Sequence, residues 1–104
     1  MVTEALGLST YDISALVKLV NQERLGEAEQ SARTLLKAYP GAGMLWKILS
    51  VAQLRQGKDA LPALRKTAEL MPLDAEAHRN LGAALHDQGQ WALALESFRR
   101  ALEL

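Results

Sequence analysis

Pro40 and Pro72 lie 32 residues apart, as do Gly57 and Gly89, and Leu49 and Leu81. Ala28 stands 12 residues before the first proline and Ala60 12 before the second, while Trp46 and His78 each follow their proline by six. A chain with such a period is built from one supersecondary unit used repeatedly. No unit of this length buries its apolar face alone, so the units must stack. Three units follow: residues 9–42, 43–74 and 75–104, forming a single domain over 9–104 behind an N-terminal tail, residues 1–8. The second unit is two residues shorter than the first, and the deletion is placed in the turn Gly57-Lys58-Asp59.

Inside each unit the apolar residues recur at helical spacing. Ile13, Leu16, Val17 and Val20 fall at i, i+3, i+4 and i+7, behind a Ser9–Asp12 pair that reads as a capping box. A second helix runs from about Arg24 to Ala38 and is stopped by Tyr39-Pro40-Gly41, because Pro40 cannot continue it. The third spans about Met44 to Gln56, and the fourth about Ala60 to Met71, with Asp59 as its cap and Pro62 in its first turn. The fifth, capped by Asp74, spans about Ala75 to Gln88, and the sixth Gln90 to Glu103. No segment alternates with a period of two over a strand's length. The fold class is all-α: a stack of three antiparallel helix pairs.

Several functions are disfavoured on composition. Lys plus Arg and Asp plus Glu are 12 each, so the chain lacks the surplus of positive charge that nucleic-acid binding usually needs. Without cysteine there are no disulfides or thiolate metal sites. MVTEALGLSTYD lacks a basic lead and a long apolar run, and no stretch approaches a bilayer span, so the expected location is cytoplasmic, without membrane insertion. His78 and His86 are eight residues apart on one helix, about 12 Å along its axis, too far for one ion. No glycine-rich phosphate loop or nucleophile elbow occurs, so neither a cofactor nor catalysis is expected.

The third unit carries Leu81-Gly82, Leu85, Ala94-x3-Phe98 and Ala101. The second carries Trp46-x2-Leu49-Ser50, Ala60-x3-Leu64 and Pro72, and the first Ala28-x3-Ala32 and Pro40. This pattern resembles the tetratricopeptide repeat, with its W-x2-L-G-x2-Y, A-x3-F and P positions. His78 stands at the tryptophan position of the third unit, Asp12 at that of the first, and Leu16 at the first unit's glycine position. Small residues at helix crossings permit close approach. Gly82 against Ala94 and Ser50 against Ala60 are the expected crossings, with a wider one at Leu16. Trp46 and Trp91 are both expected to pack in the interior. The last unit is also similar to helical-repeat segments that precede glycosyltransferase or sulfotransferase domains in bacteria, and to those of O-linked N-acetylglucosamine transferases.

The resemblance implies a right-handed superhelical stack of the three pairs that serves as a protein-interaction module, not an enzyme, with the first helices of the pairs lining a concave groove for a partner's peptide or helix. The residues expected there are Ile13, Val17 and Asn21, then Met44, Lys47, Val51 and Arg55, then Arg79, Asn80, Ala83, His86 and Asp87, with Thr10 and Glu76 at the margin. A family clamp of Lys, Asn and Arg around a peptide carboxylate is unlike this row, where Ile13, Val17 and Ile48 take polar positions. An asparagine ladder is matched by Asn80 alone, since Ser14 and Ile48 stand in the other units. Two alternatives remain: a regulatory or substrate-positioning segment of a larger enzyme such as a glycosyltransferase, and a self-associating scaffold. The latter would pair two copies through an uncovered face of the last helix, at Leu95, Leu102 and Leu104.

Overall fold

The computed structural model describes residues 7–104 and contains six helices. They are α1 (Thr10–Asn21), α2 (Leu25–Ala38), α3 (Gly43–Arg55), α4 (Leu61–Leu70), α5 (Ala75–Asp87) and α6 (Trp91–Glu103). Successive helices pack on one another, and α1 also touches α3, so the first helices of the first two pairs are adjacent. Residues 1–6 of the expected tail lie outside the described residues. Residues 7 and 8 depart from the tail expectation. Leu8 is buried in the first core cluster, and the Gly7 carbonyl accepts a 2.6 Å bond from the Tyr39 hydroxyl. An apolar side chain one residue before the Ser9 cap reaches the core like any other.

The capping box is present, Ser9 Oγ accepting from Asp12 N and Asp12 Oδ2 from Ser9 N. The first helix of every pair ends alike. Arg24 N donates to Leu19 O, Lys58 N to Gln53 O and Gln90 N to Leu85 O, each at 2.9 Å, the 6→1 bond of a Schellman cap. The residue before each donor is left-handed: Glu23 (φ 61°), Gly57 (φ 74°) and Gly89 (φ 77°). Two of these are the glycines of the period. Glutamate holds the third position at a steric cost of about 1 kcal/mol.

Joints between pairs are also periodic. Trp46 Nε1 donates to the Pro40 carbonyl at 2.8 Å, and His78 Nε2 lies 2.8 Å from the Pro72 carbonyl. Histidine thus replaces tryptophan while keeping the bond, provided the ring carries its proton on Nε2.

Three expectations need correction. The two-residue deletion shortens a helix and not a turn: α4 has 10 residues against 14 in α2 and 13 in α6. Ala28, Ala60 and Ala94 all stay buried, so a chain two residues shorter must bring Ala60 into place by giving up the first turn of α4. Asp59 Oδ1 then caps Leu61 N at 3.0 Å. Secondly, the side chain nearest to Gly82 is that of Phe98, which the expected Gly82–Ala94 crossing leaves out; a Cβ at Gly82 would lie 2.9 Å from the Phe98 ring. Thirdly, Trp46 packs on the core but Trp91, at the start of α6, is 66% exposed. The α5–α6 pair has the most extensive contact and the α1–α2 pair the sparsest of the three, in keeping with Gly82 and Leu16 at equivalent positions.

Phe98 packs on the Leu61, Leu85 and Ala94 cluster, so its ring cannot withdraw freely from Gly82. Gly82→Ala gains about 1 kcal/mol of helix propensity but meets an overpacking cost of about 1–3 kcal/mol. Urea unfolding of Gly82→Ala is expected to show a net loss of about 1 kcal/mol, partly recovered when Phe98→Leu is added. A stabilised single variant would refute the close approach.

Candidate functional site

Aligning the units by their left-handed residues places the first-helix side chains in rows. Val17, Val51 and Ala83 share one position; Ile13, Lys47 and Arg79 share a second; Asn21, Arg55 and Asp87 share a third. Val17 and Ala83 are exposed, and Val51 is partly buried against the core, as is Ile13. Thr10, Asn21, Met44, Arg55, Glu76, Arg79, His86 and Asp87 are exposed, while Lys47 and Asn80 are half-buried. Ile48, in the row of Asn80, is buried. What runs across the three units is a short apolar row, Val17–Val51–Ala83, between two rows that are polar except at Ile13.

Two cations of this face, Lys47 and Arg55, are engaged within the protein. Lys47 Nζ bonds Asp74 Oδ2 at 2.7 Å and Glu76 Oε1 at 3.0 Å, tying the second unit to the third. Burial alone would lower the Lys47 pKa, but these two carboxylates outweigh it and raise it. Asp74 is lowered despite its burial, chiefly by Lys47, and also accepts from Ala77 N as the α5 cap. Arg55 pairs with Glu23, the left-handed residue, tying the second unit to the first. Arg79 lies 3.8 Å from Glu76. Lys47 and Arg55, expected as partner contacts, also serve as joints of the stack. Sequence separations of 27 and 32 gave no local signal for these pairs.

Sequence reasoning missed Glu29 altogether. This buried carboxylate of α2 accepts at Oε1 from Lys58 Nζ (2.8 Å) and Gln56 Nε2 (2.9 Å), and at Oε2 from Arg33 (3.1 Å) and Gln53 Nε2 (3.4 Å). Gln53 leaves its Oε1 buried without a donor, a cost of about 1–3 kcal/mol. The Lys58 bond, helped by Gln56, Arg33 and Gln53 and opposed by burial, holds the Glu29 carboxyl down from 4.5 to about 2. The only available cue was a charged residue one position after the repeated alanine, where the next unit has Leu61.

The pocket with the clearest link to the candidate row lies between α3 and α5, about 300 Å³, bounded by Leu54, Asp59, Ala60, Asn80, Ala83 and Asp87 among others. Among the described residues, no group of three or more His, Cys, Asp or Glu is placed to hold a metal. No described helix is long and apolar enough to cross a membrane.

Two family models, both for the tetratricopeptide repeat, match the chain, one over residues 18–60 and the other over 75–104. The chain belongs to the tetratricopeptide repeat family. Such repeats are generally protein–protein interaction modules and typically non-enzymatic scaffolds. No curated protein matches the chain.

Glu29 makes a pH prediction. Its folded-state pKa is depressed, so its contribution is present above the unfolded value of 4.5 and is lost as pH falls toward about 2. The amount at stake is on the order of 3 kcal/mol. Urea midpoints measured from pH 6 down to about 2 should fall less steeply for Glu29→Gln than for wild type. Parallel profiles would remove Glu29 from this role.

Proposed function

We propose that this tetratricopeptide repeat chain binds an extended segment of a partner protein across the concave face of its first helices. The observation that carries this reading is the apolar row Val17–Val51–Ala83, one residue per unit, beside cations already engaged with carboxylates. Packed helices are about 8–10 Å apart. A polyproline-like chain advances about 9 Å in three residues, so every third peptide residue could meet a successive position of the row. Engagement of Lys47 and Arg55 also favours a protein over a nucleic acid, whose phosphates need available cations.

Peptides selected from a phage-displayed random library are the test. Amide shifts on the labelled protein should centre on Val17, Val51 and Ala83. Val51→Asp should weaken binding at least 10-fold, and Arg65→Glu, on the second-helix side, should leave it within about 2-fold. A footprint on α2 and α4, or an unchanged Val51→Asp, would overturn the reading. Charge reversal at Lys47 and Arg55 would not serve, since it also loosens the stack.

One comparison supports self-association as a second reading. Leu61 and Ala68, which face the third unit, are 7% and 9% exposed, while their counterparts in the last pair, Leu95 and Leu102, are 60% and 88% exposed. Leu104 is exposed beyond them. The opposite end is unlike this one. Tyr11, Ser14, Ala15 and Lys18 are exposed where Leu45, Ile48, Leu49 and Ala52 are buried in the second unit. This mixed set, with Ser14 and Lys18 in it, matches the apolar face of α6 less well than a second α6 does, so two copies would meet α6 to α6, an isologous contact. Sedimentation velocity should show a concentration-dependent dimer that Leu95→Glu with Leu102→Glu converts to monomer. A wild-type monomer at millimolar concentration would exclude it.

A further inference from the structure

We propose that the pocket between α3 and α5 receives a basic side chain, arginine or lysine, of the bound peptide; this rests on the groove reading above. The pocket adjoins the apolar row at Ala83 and continues it with Leu54, which is exposed, and with Ala60. About 300 Å³ is at the lower end of small-ligand pockets and accommodates one long side chain.

Its polar boundary is rich in acceptors. Asp87 is exposed, and the nearest His86 ring nitrogen is 3.8 Å away, beyond hydrogen-bond reach. Asp59 Oδ1 takes the Leu61 N–H and a long 3.5 Å contact from Gln88, and no hydrogen bond engages its second oxygen among the described residues. Asn80 adds an amide carbonyl. The one cation at the boundary, Lys58, directs its ammonium to Glu29 at 2.8 Å. The same holds along the groove, where Lys47 and Arg55 face carboxylates of their own. Internal pairing therefore leaves negative charge uncompensated where Asp59 and Asp87 flank an apolar floor.

A basic side chain fits both parts. Its alkyl stem lies on Leu54 and Ala83, and its donor-only head meets the two carboxylates and the Asn80 carbonyl. An acidic side chain would meet like charge, and a purely apolar one would leave the carboxylates unengaged. This chemistry is opposite in sign to recognition of a peptide carboxylate by a cationic clamp.

The random-library selection, repeated on wild type and on Asp87→Lys, tests the assignment. Asp87 is exposed on the last turn of α5, so circular dichroism and the urea midpoint should match wild type. Peptides from the wild-type selection should be enriched in arginine or lysine at one position and bind Asp87→Lys at least 10-fold more weakly. Raising the salt concentration should weaken the wild-type complex. Selection on Asp87→Lys should replace that position with an acidic or neutral residue. Wild-type binders whose footprint covers the apolar row but which show no basic preference, or which bind Asp87→Lys equally well, would overturn the pocket assignment and leave the groove reading standing. Binders that map elsewhere, or no binders at all, would overturn both.

Discussion

The backbone N–H of Arg24, Lys58 and Gln90 each reaches back five residues to close the first helix of its pair, and the rest of the stack depends on that bond. It requires a left-handed residue just before the donor, met by Glu23, Gly57 and Gly89. The chain then reverses within three residues in the first and third units, and the second helix returns antiparallel. Burial of Ala28, Ala60 and Ala94 follows, since the reversal delivers a small side chain to the crossing each time. The second unit shows which requirement dominates. With two residues fewer, the chain keeps both the cap and the buried alanine, and gives up a helical turn.

Stacking the pairs needs further contacts, and these use charge. Trp46 and His78 satisfy the carbonyls of Pro40 and Pro72 at the joints. Lys47, Arg55 and Glu29 then connect units across 24 to 32 residues of sequence. The Arg55 partner is Glu23, a non-glycine residue at a position that favours glycine. Its side chain gives back through the ion pair some of what its backbone conformation costs, though exposed pairs contribute only about 0–1 kcal/mol.

Much of this was legible in the sequence because it is local. Capping residues, proline stops and the 32-residue interval act over a few residues or repeat strictly, so all six helices and the pairing could be read. Glu23 was not legible as a cap, because it replaces the usual glycine. Gly82 was assigned to Ala94 because the repeat pattern names both positions, but which side chain of the facing helix comes nearest depends on the crossing, and here it is Phe98. Trp91 was read as interior because the repeat family often has a packing aromatic where a helix begins. It is exposed at the start of α6, since burial there depends on what lies over that edge, which the local pattern does not encode.

The candidate groove was legible as a set of positions but not as a pattern of charge. From sequence alone Lys47, Arg55 and Arg79 are three charges on the groove positions, with no sign of where their partners lie. The structure supplies those partners: Lys47 joins Asp74 and Glu76, Arg55 joins Glu23, and Lys58 joins Glu29. A neutral composition thereby acquires a local sign, because carboxylates at Asp59 and Asp87 remain after the inter-unit cations are engaged. The residues that fix how units sit on one another thus also decide the charge of the surface between them. A substitution at a joint would change recognition even where no partner atom touches it.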